Sequence, residues 1–398
     1  MTPILLSRLT AASCIGTGLA ATRAALRAGR SGLAPCRFED ATLDCWIGEV
    51  PGVDAVALPP ALSRFDCRNN RLAQLALGQD GFADAVADAA RRYGAHRVAV
   101  LLGTSTAGIL NTEHAYRRRD PASGALPADF DYQGSHNIAS VSDFVRHACQ
   151  LAGPALAVSS ACSSSAKVFA TAARMIETGV IDAAVVGGVD SLCLTTLYGF
   201  NSLELLSPEP CRPFDAGRRG ISIGEAAAFA LLERTPASPP GDTVLLTGYG
   251  ESSDAHHMSS PHPEGHGARL AMAAALDRAG LESGQIDYIN LHGTATPSND
   301  SAEGRAVADL FGRRVPANST KGYTGHALGA AGGLEAVIAA IALQDGFIPA
   351  SAGTRTADPD IAIDYASNAR ERSLTHVLSN SFGFGGTNAS LIFSRSAP

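Results

Sequence analysis

Two stretches of this chain repeat the same order of elements, and the repeat constrains the fold more than any other feature. Residues 87–108 (ADAARRYGAHRVAVLLGTSTAG) read as a helix end, a turn, a strand and a Gly-Thr-Ser-Thr loop. Residues 273–297 (AAALDRAGLESGQIDYINLHGTATP) repeat that order and reach Gly-Thr-Ala-Thr. After each stretch come a second short strand, a polar turn, an alanine-rich helix and a third strand. The chain therefore predicts two copies of one β-and-α unit.

The pattern within each copy predicts how the copies are layered. The strands are short and apolar on both faces, which is typical of strands covered on both sides. The helices AKVFATAARMIETG and GGLEAVIAAIAL are apolar or alanine most of the way round, which indicates buried helices. We therefore expect an α/β fold in five layers, α/β/α/β/α, with an internal duplication and a pseudo-twofold axis. The predicted halves are residues 1–240, which include inserted cap and dimer segments, and residues 241–398.

Charge, apolar runs and cysteine spacing exclude several classes of function. The net charge of −7 argues against nucleic-acid binding, which normally needs a basic face. An uninterrupted apolar run of 18 residues is lacking, so we expect no membrane span. The eight cysteines contain no C-x-x-C pair, which predicts neither a disulfide framework nor a zinc site and favours a reducing cytoplasm. The first 20 residues lack a basic start and contain Arg8, so we expect a strand, a loop and a helix there rather than a signal peptide.

Several motifs come close to known catalytic or metal-binding patterns without matching them. GTSTA at 103–107 and GHALG at 325–329 approach the nucleophile elbow G-x-S-x-G, but the first ends in alanine and the second has alanine at the nucleophile position. The segment HHMSSPHPEGH at 256–266 is rich in histidine. Proline and glycine lie between His262 and His266, so a helix cannot present both on one face, and we expect a structured loop without metal.

Cys162 is the strongest candidate nucleophile. It lies in VSSACSSSAK, where the strand ALAVSS turns into a helix, and a helix N-terminus favours a thiolate and lowers the pKa of a thiol. Taken alone, Cys162 is equally well explained as a buried structural residue. The corresponding loops of the second half carry His292 in NLHGTATP, and Lys321 with His326 in STKGYTGH. Because equivalent loops should meet near the pseudo-twofold axis, these residues favour the nucleophile.

These residues carry a family likeness that extends over essentially the whole chain. The chain resembles the β-ketoacyl-acyl carrier protein synthases of type I/II, which are elongating condensing enzymes of the thiolase superfamily. The motifs that carry the resemblance are SSACSSSAK, CRPFDAGRRGISIGEAA, SSDAHHMSSPHP, NLHGTATPSND, STKGYTGHALGAAGGLEA and SNSFGFGGTN. Thiolases use a Cys-His-Cys set and initiating type III synthases use Cys-His-Asn. The Cys-His-His set found here is that of decarboxylating synthases.

The resemblance implies a division of labour between the candidate residues. Cys162 would accept an acyl chain as a thioester, with the backbone N–H groups of Cys162 and Phe384 as the oxyanion hole. His292 and His326, both neutral, would hold the malonyl thioester carbonyl and stabilise the enolate that forms as carbon dioxide leaves. Decarboxylation drives this reaction, so we expect no metal and no redox cofactor. Phe384 would also act as a gate, and Phe200 would line the acyl pocket.

The resemblance also implies supporting residues around the catalytic set. Lys321 would organise the site, with Glu335 as its ion-pair partner and Glu303 as a further structural support. Thr294 and Thr296 would hydrogen-bond the phosphopantetheine arm of the carrier protein.

Partners and pathway follow from the same resemblance. We expect an acidic acyl carrier protein, docked with help from Arg64, Arg68 and Arg71, and either a homodimer or a heterodimer with a second ketosynthase-like subunit. Departures from the usual family sequence, such as GEAA in place of GEGA, leave the pathway open between membrane fatty acids and a specialised aryl-polyene or polyketide-like product. The alternative function is a weakly catalytic or non-catalytic partner subunit resembling a chain-length factor, although such subunits lack the cysteine.

Overall fold

The fold was analysed in a computed structural model that describes residues 1–237 and 241–396. The strands are β1 (Ile4–Ser13), β2 (Gly16–Thr17), β3 (Ala34–Pro35), β4 (Trp46–Gly48), β5 (Val98–Gly103), β6 (Ala155–Val158), β7 (Ala183–Asp190), β8 (Ile223–Gly224), β9 (Ala226–Arg234), β10 (Val244–Ser253), β11 (Tyr288–Asn290), β12 (Pro316–Asn318), β13 (Phe347–Ile348), β14 (Asp364–Tyr365), β15 (Arg370–Glu371), β16 (His376–Gly383) and β17 (Thr387–Arg395). The α-helices are α1 (Leu19–Arg27), α2 (Arg68–Leu77), α3 (Phe82–Tyr93), α4 (Ile109–Arg117), α5 (Ser140–Ala148), α6 (Ser164–Glu177), α7 (Leu194–Ser202), α8 (His266–Ala279), α9 (Pro297–Phe311), α10 (Lys321–Thr324) and α11 (Ala331–Asp345).

The two halves of the chain build half-sheets of identical topology. The first has the order β6-β5-β7-β9-β1 and the second has the order β12-β11-β16-β17-β10, with β14 added beyond β12. In each half the first three strands of this order are parallel, and the last two pair antiparallel. A short antiparallel contact between β1 and β10, with Ile4 opposite Leu246, joins the half-sheets. The predicted duplication is thus present strand for strand.

Helices cover both faces of each half-sheet. The helices α6 and α11 lie between the half-sheets and contact strands of both. The helix α11 is buried from Ala331 through Leu343, as its all-round apolar sequence predicts. The outer face of the first half-sheet is covered by α2, α3 and α5, and that of the second by α8 and α9. The predicted five-layered α/β/α/β/α architecture is confirmed.

A close approach of two backbones brings the helix starts of the two halves together. A β-carbon added to Gly332, near the start of α11, would lie 2.8 Å from the backbone nitrogen of Ala166 in α6. Only glycine therefore permits this contact without a backbone shift. The contact places the loops that precede the two helices next to each other, and these loops carry the candidate nucleophile and one candidate histidine.

The start of the chain and its most apolar helix have clear places in the fold. The predicted strand, loop and helix at the start correspond to β1, β2 and α1. Among the described residues, one helix, Leu328–Asp345, is long and apolar enough to cross a membrane, and 89% of it is buried inside the protein. The predicted boundary between the halves directly follows residues 238–240, which lie outside the described part of the chain. The division at that point remains a prediction.

A smaller unit covers one end of the central layer. It combines the three-stranded sheet β3-β4-β8 with α4 and α7. We call its interior the cap cluster, which consists of Phe38, Cys45, Ile47, Leu110, Leu192, Cys193, Leu194, Leu197, Ile221, Ile223 and Leu328.

Candidate active site

Cys162 lies in a tight turn between β6 and α6. Ala161 adopts a left-handed backbone conformation (φ 52°), which turns the chain sharply just before the cysteine. The neighbouring serines hold this turn. The hydroxyl of Ser164 accepts from the backbone N–H of Ser160 at 2.9 Å, and the hydroxyl of Ser163 donates to the carbonyl of Ser160 at 2.9 Å. The serines thus have structural partners in the turn and across the junction, and the Cys162 thiol points toward a candidate histidine of the second half.

Two histidines from the second half meet the Cys162 thiol. The Nε2 atom of His326 lies 2.9 Å from Sγ of Cys162. The rings of His292 and His326 are 5.2 Å apart and nearly perpendicular. One ligand atom from each of the three residues falls within 4.8 Å of the others, and all three residues are buried. The structure therefore brings the predicted Cys-His-His set together at the junction of the two halves.

Burial sets the protonation states of this set. It raises the pKa of the Cys162 thiol to about 12, and the nearby Lys321 ammonium offsets this only partly. The prediction that the helix terminus lowers this pKa is therefore wrong for the free protein, because the loss of water around the sulfur outweighs the helix. Burial, followed by the charge of Lys321, holds the pKa of His292 and of His326 well below the usual value. The free site contains a neutral thiol and two neutral imidazoles.

Lys321 fixes the orientation of His292. Its ammonium donates to Oε1 of Glu335 and to the backbone carbonyl of His292, and it lies 3.4 Å from Nδ1 of His292. Because an ammonium has no acceptor, Nδ1 must accept and Nε2 must carry the ring proton. Nδ1 of His326 has no partner among the described residues, so no such contact fixes which nitrogen of this ring carries the proton. Burial raises the pKa of Glu335 to about 7, and Lys321 opposes this shift.

Glu303 holds the loop that carries His292. Its two carboxylate oxygens accept from the backbone N–H groups of His292 and Gly293, each at 2.8 Å. Asn380 donates to the same carboxylate at 3.0 Å. Burial raises the pKa of Glu303 to about 7, although these N–H donors stabilise its charged form. Glu303 thus positions the histidine through its backbone and does not face the cavity.

A free space of about 590 Å³, part of it open to solvent, leads to Cys162, His292 and His326. Thr294 and Thr296 line it, and their hydroxyls are hydrogen-bonded to each other at 2.8 Å. The other side chains that line the space are largely apolar on one side and polar at the mouth: Phe200, Leu205, Ile221, Phe382, Phe384, Asp254, Ser259, Ser260, Pro261, Ser298, Asn299 and Asn388.

Phe384 lines this space together with the candidate nucleophile. Its ring lies 5.7 Å from that of Phe200, at an interplanar angle of 35°. Its backbone N–H donates toward the Cys162 thiol, which places it where an oxyanion donor is needed. Gly385 follows with φ 79°, and nothing lies within 4 Å of the position its β-carbon would take. The segment therefore has the backbone freedom and the space to move.

The histidine-rich loop at residues 256–266 lies at the mouth of the cavity. The backbone N–H of Gly385 donates to the carbonyl of Met258 at 2.7 Å, which ties this loop to the Phe384 segment. The rings of His262 and His266 are 6.0 Å apart, and His266 begins α8. The segment is a structured loop, as expected, and its hydrogen bonds link it to the active site.

Asp190 is a buried acidic residue near the site that the sequence reasoning missed. It ends the fully buried strand β7 and accepts from the hydroxyls of Thr104, Ser105 and Thr106 at 2.5–2.9 Å. It also accepts from the backbone N–H of Gly329, close to His326 in the chain. An acidic residue at the end of a wholly apolar strand was the available signal. Asp190 connects the loop after β5 with the loop that carries His326.

The predicted docking arginines differ in exposure, and one of the three assignments is wrong. Arg68 is 7% exposed, and its guanidinium is 2.7 Å from the fully buried Glu225. It cannot reach a partner protein, because it neutralises a carboxylate in the interior. Arg71 pairs with Asp66 through two hydrogen bonds of 2.6 and 2.8 Å. Arg64 has a side chain that is 58% exposed, and its guanidinium lies 3.7 Å from the partly exposed Asp131 carboxylate.

Comparison with known proteins gives one consistent family. Residues 64–237 match the N-terminal domain of β-ketoacyl synthases, and residues 244–355 match the C-terminal domain. The chain is 39% identical to a 3-oxoacyl-[acyl-carrier-protein] synthase 2 of Rhizobium meliloti over 312 residues, 74% of this chain and 73% of the relative. It is 37% identical to nodulation protein E of Rhizobium meliloti, over 75% of each chain. A solved ketosynthase in complex with its chain length factor, from Xenorhabdus doucetiae, superposes with a TM-score of 0.89 at 36% identity and covers 99% of this chain and 98% of its own.

Proposed function

This chain belongs to the β-ketoacyl synthase family, and we propose that it is a chain-elongating β-ketoacyl-acyl carrier protein synthase. In this proposal it joins an acyl chain held on Cys162 to the two-carbon unit of a malonyl-carrier protein, with loss of carbon dioxide. The observation that carries the proposal is the 2.9 Å contact between the Cys162 thiol and the His326 ring, with the His292 ring beside it. One nucleophile and two neutral imidazoles are the groups that acyl transfer and decarboxylation require.

The first half-reaction transfers the acyl chain to the enzyme. The sulfur of Cys162 attacks the thioester carbonyl of the acyl-carrier protein, and the backbone N–H groups of Cys162 and Phe384 stabilise the oxyanion. The carbonyl then re-forms, and the carrier's phosphopantetheine thiol leaves. The proton of the Cys162 thiol passes through Nε2 of His326 to that leaving thiol. A neutral histidine within 2.9 Å suits this transfer, because the buried thiol does not ionise by itself at neutral pH.

The second half-reaction forms the carbon–carbon bond. The thioester oxygen of the malonyl group accepts from Nε2–H of His292 and from Nε2–H of His326. The carbon–carboxylate bond breaks and carbon dioxide leaves. The electron pair of the broken bond stays with the thioester and forms the enolate that the two N–H groups stabilise. The enolate carbon attacks the acyl-Cys162 carbonyl, and the Cys162 sulfur departs as a thiolate. Water that enters the cavity supplies the proton that restores the thiol. Lys321 supports this step, because it holds His292 in the tautomer that donates from Nε2.

The cavity supplies positions for both substrates. The paired hydroxyls of Thr294 and Thr296 provide the donors and acceptors that the amides of a phosphopantetheine arm need. The tilted, adjacent rings of Phe200 and Phe384 place an apolar wall next to the nucleophile, where an acyl chain would be sequestered from water. Phe384 has to move for a long chain to pass, and the glycines that follow it permit that movement.

The proposal includes a carrier-protein partner and a second subunit. The strand β6 is the outermost strand of its half-sheet, and its Leu156 is 47% exposed, which is surface that a second ketosynthase-like subunit can cover. We place the protein in the cytoplasm, because all eight of its cysteines are free thiols and such a set persists in a reducing compartment.

The carrier-protein surface is tested by charge reversal. Arg64→Glu is expected to raise the apparent KM for acyl-carrier protein about fivefold, which corresponds to about 1 kcal/mol for a rim charge, with kcat nearly unchanged. The matched control is Arg91→Glu, which reverses an exposed arginine on α3, on the outer face of the first half-sheet. Steady-state kinetics across carrier-protein concentrations measure both. Equal KM values for the two variants would remove Arg64 from the docking surface.

The alternative function is a non-catalytic partner subunit that only shapes the pocket of a heterodimer. Intact-protein mass spectrometry after incubation with acyl-carrier protein separates the two. We expect an acyl adduct on Cys162 and release of carbon dioxide when malonyl-carrier protein is then added. A protein that remains unmodified and releases no carbon dioxide would be the partner subunit.

A further inference from the structure

Two cysteines outside the active site are neighbours across a pair of strands in the cap. The strands β3 and β4 pair antiparallel, with Pro35 opposite Trp46. One step further in the same register, Cys36 stands opposite Cys45, and the backbone N–H of Cys36 donates to the carbonyl of Cys45 at 2.8 Å. These two residues lie nine positions apart in the printed sequence, and the hairpin brings them face to face.

The geometry of such a pair suits a disulfide bond. Directly opposed residues of an antiparallel pair have Cα atoms about 4.5–5.5 Å apart. Disulfides span Cα separations of about 4.4–6.8 Å. The side chains of Cys36 and Cys45 are near enough to interact, since the Cys36 thiol is among the groups that raise the pKa of Cys45. A covalent bond between the two sulfurs therefore requires little movement of the backbone.

The two thiols differ in their access to solvent. Cys45 is 3% exposed and belongs to the cap cluster, and burial raises its pKa to about 12. Cys36 packs against the edge of that cluster and is partly exposed. A small oxidant in solution can therefore reach Cys36 first. Cys45, which is buried beside it, would then act as the resolving thiol.

We propose that Cys36 and Cys45 form a reversible disulfide when the protein meets a peroxide. The thiol of Cys36 attacks one oxygen of the peroxide, the O–O bond breaks, and sulfenic acid forms on Cys36 with loss of water or an alcohol. The thiol of Cys45 then attacks that sulfur, its proton joins the departing hydroxyl as water, and the S–S bond closes. The two thiols are oxidised and the peroxide is reduced, so no other co-reactant is needed. A low-molecular-weight thiol reverses the bond by exchange.

The disulfide would stabilise the cap, which forms part of the cavity wall. The cap cluster that contains Cys45 also contains Ile221, which lines the space leading to Cys162, and Phe200 packs against it. The strand β4 pairs with β8, and the backbone N–H of Gly224 in β8 donates to the carbonyl of His326 at 3.0 Å. A disulfide at this position therefore stiffens the support of the pocket wall and of one catalytic histidine.

Trypsin gives a direct test, because cleavage sites separate the two cysteines. Cleavage after Arg30, Arg37 and Arg64 places Cys36 on peptide 31–37 and Cys45 on peptide 38–64. After peroxide treatment of the whole protein and alkylation of remaining thiols, we expect these two peptides to run as one species without reductant. Its mass should be two hydrogens below the sum of the peptides, and dithiothreitol should split it. Cys36→Ser should never give this species.

A second measurement reports the bond in the folded protein. Closing so short a loop is expected to raise the Tm of the oxidised protein by about 3 °C relative to the reduced protein. Cys36→Ser and Cys45→Ser should show no rise after the same treatment. Peptides 31–37 and 38–64 that stay separate after oxidation, or a link from either one to a third cysteine peptide, would overturn the proposal. Neither readout uses enzymatic activity, so the outcome is independent of the proposed condensation.

Discussion

Cys162→Ala is expected to lower the condensation rate by at least about 10⁴-fold, because the acyl-enzyme can no longer form. The acyl adduct seen by intact-protein mass spectrometry should disappear in the same variant. The substitution removes a single sulfur from a buried turn whose hydrogen bonds come from the neighbouring serines, so the protein should still fold.

A second cysteine makes a matched control for this experiment. Burial raises the pKa of Cys149 to about 12, as it does for Cys162, but Cys149 caps the outer helix α5, away from the cavity. Cys149→Ala should keep both the adduct and the rate. The comparison separates acidity from position, because burial raises the pKa of both thiols and, of the two, only Cys162 contacts His326. An adduct of unchanged mass and yield on Cys162→Ala would place the nucleophile elsewhere.

The two histidine variants should share a defect in decarboxylation and differ in acylation. His292→Ala and His326→Ala are each expected to slow release of carbon dioxide from malonyl-carrier protein by about 10²–10³-fold, since each removes one donor to the enolate oxygen. Single-turnover acylation should separate them. His326→Ala should also slow acylation of Cys162, because its Nε2 contacts the thiol at 2.9 Å, whereas His292→Ala should acylate at close to the wild-type rate.

The experiment follows the two half-reactions separately, with labelled malonyl-carrier protein for decarboxylation and mass spectrometry for acylation. His114→Ala is the control, because His114 lies on α4 with a side chain 40% exposed. Thermal unfolding of each variant checks that the site has not collapsed. Equal losses in both half-reactions for both active-site variants would contradict the division of roles.

The fold was predictable because the evidence for it is repeated along the chain. Each half shows the same sequence of strand, loop and buried helix, so the resulting half-sheets have the same strand order. The convergence of Cys162 with His292 and His326 followed from the same symmetry, since equivalent loops of related halves must meet at the axis between them. The duplication alone therefore predicted that these residues, which are distant in the sequence, are close in the fold.

The two wrong predictions, the docking role of Arg68 and the lowered pKa of Cys162, concern properties that depend on the surroundings of a side chain. Arg64, Arg68 and Arg71 look alike as a basic segment, but Arg68 points inward to Glu225, which lies 157 positions along the chain. The pKa of Cys162 depends on how much water reaches the sulfur, and a helix start in the sequence does not reveal that. The charge and exposure of these groups are set by partners that only the fold supplies.

The Gly-Thr-x-Thr loops show what duplication permits. In the second half, Thr294 and Thr296 line the cavity, while Asp300 accepts from the backbone N–H groups of Thr294 and Ala295. In the first half, the hydroxyls of the equivalent loop are all taken up by Asp190. A symmetric dimer of single-copy subunits would have to use one loop sequence for both tasks. With both copies in one polypeptide, the loop that lines the cavity and the twin loop that is bonded to Asp190 can each change without damaging the other.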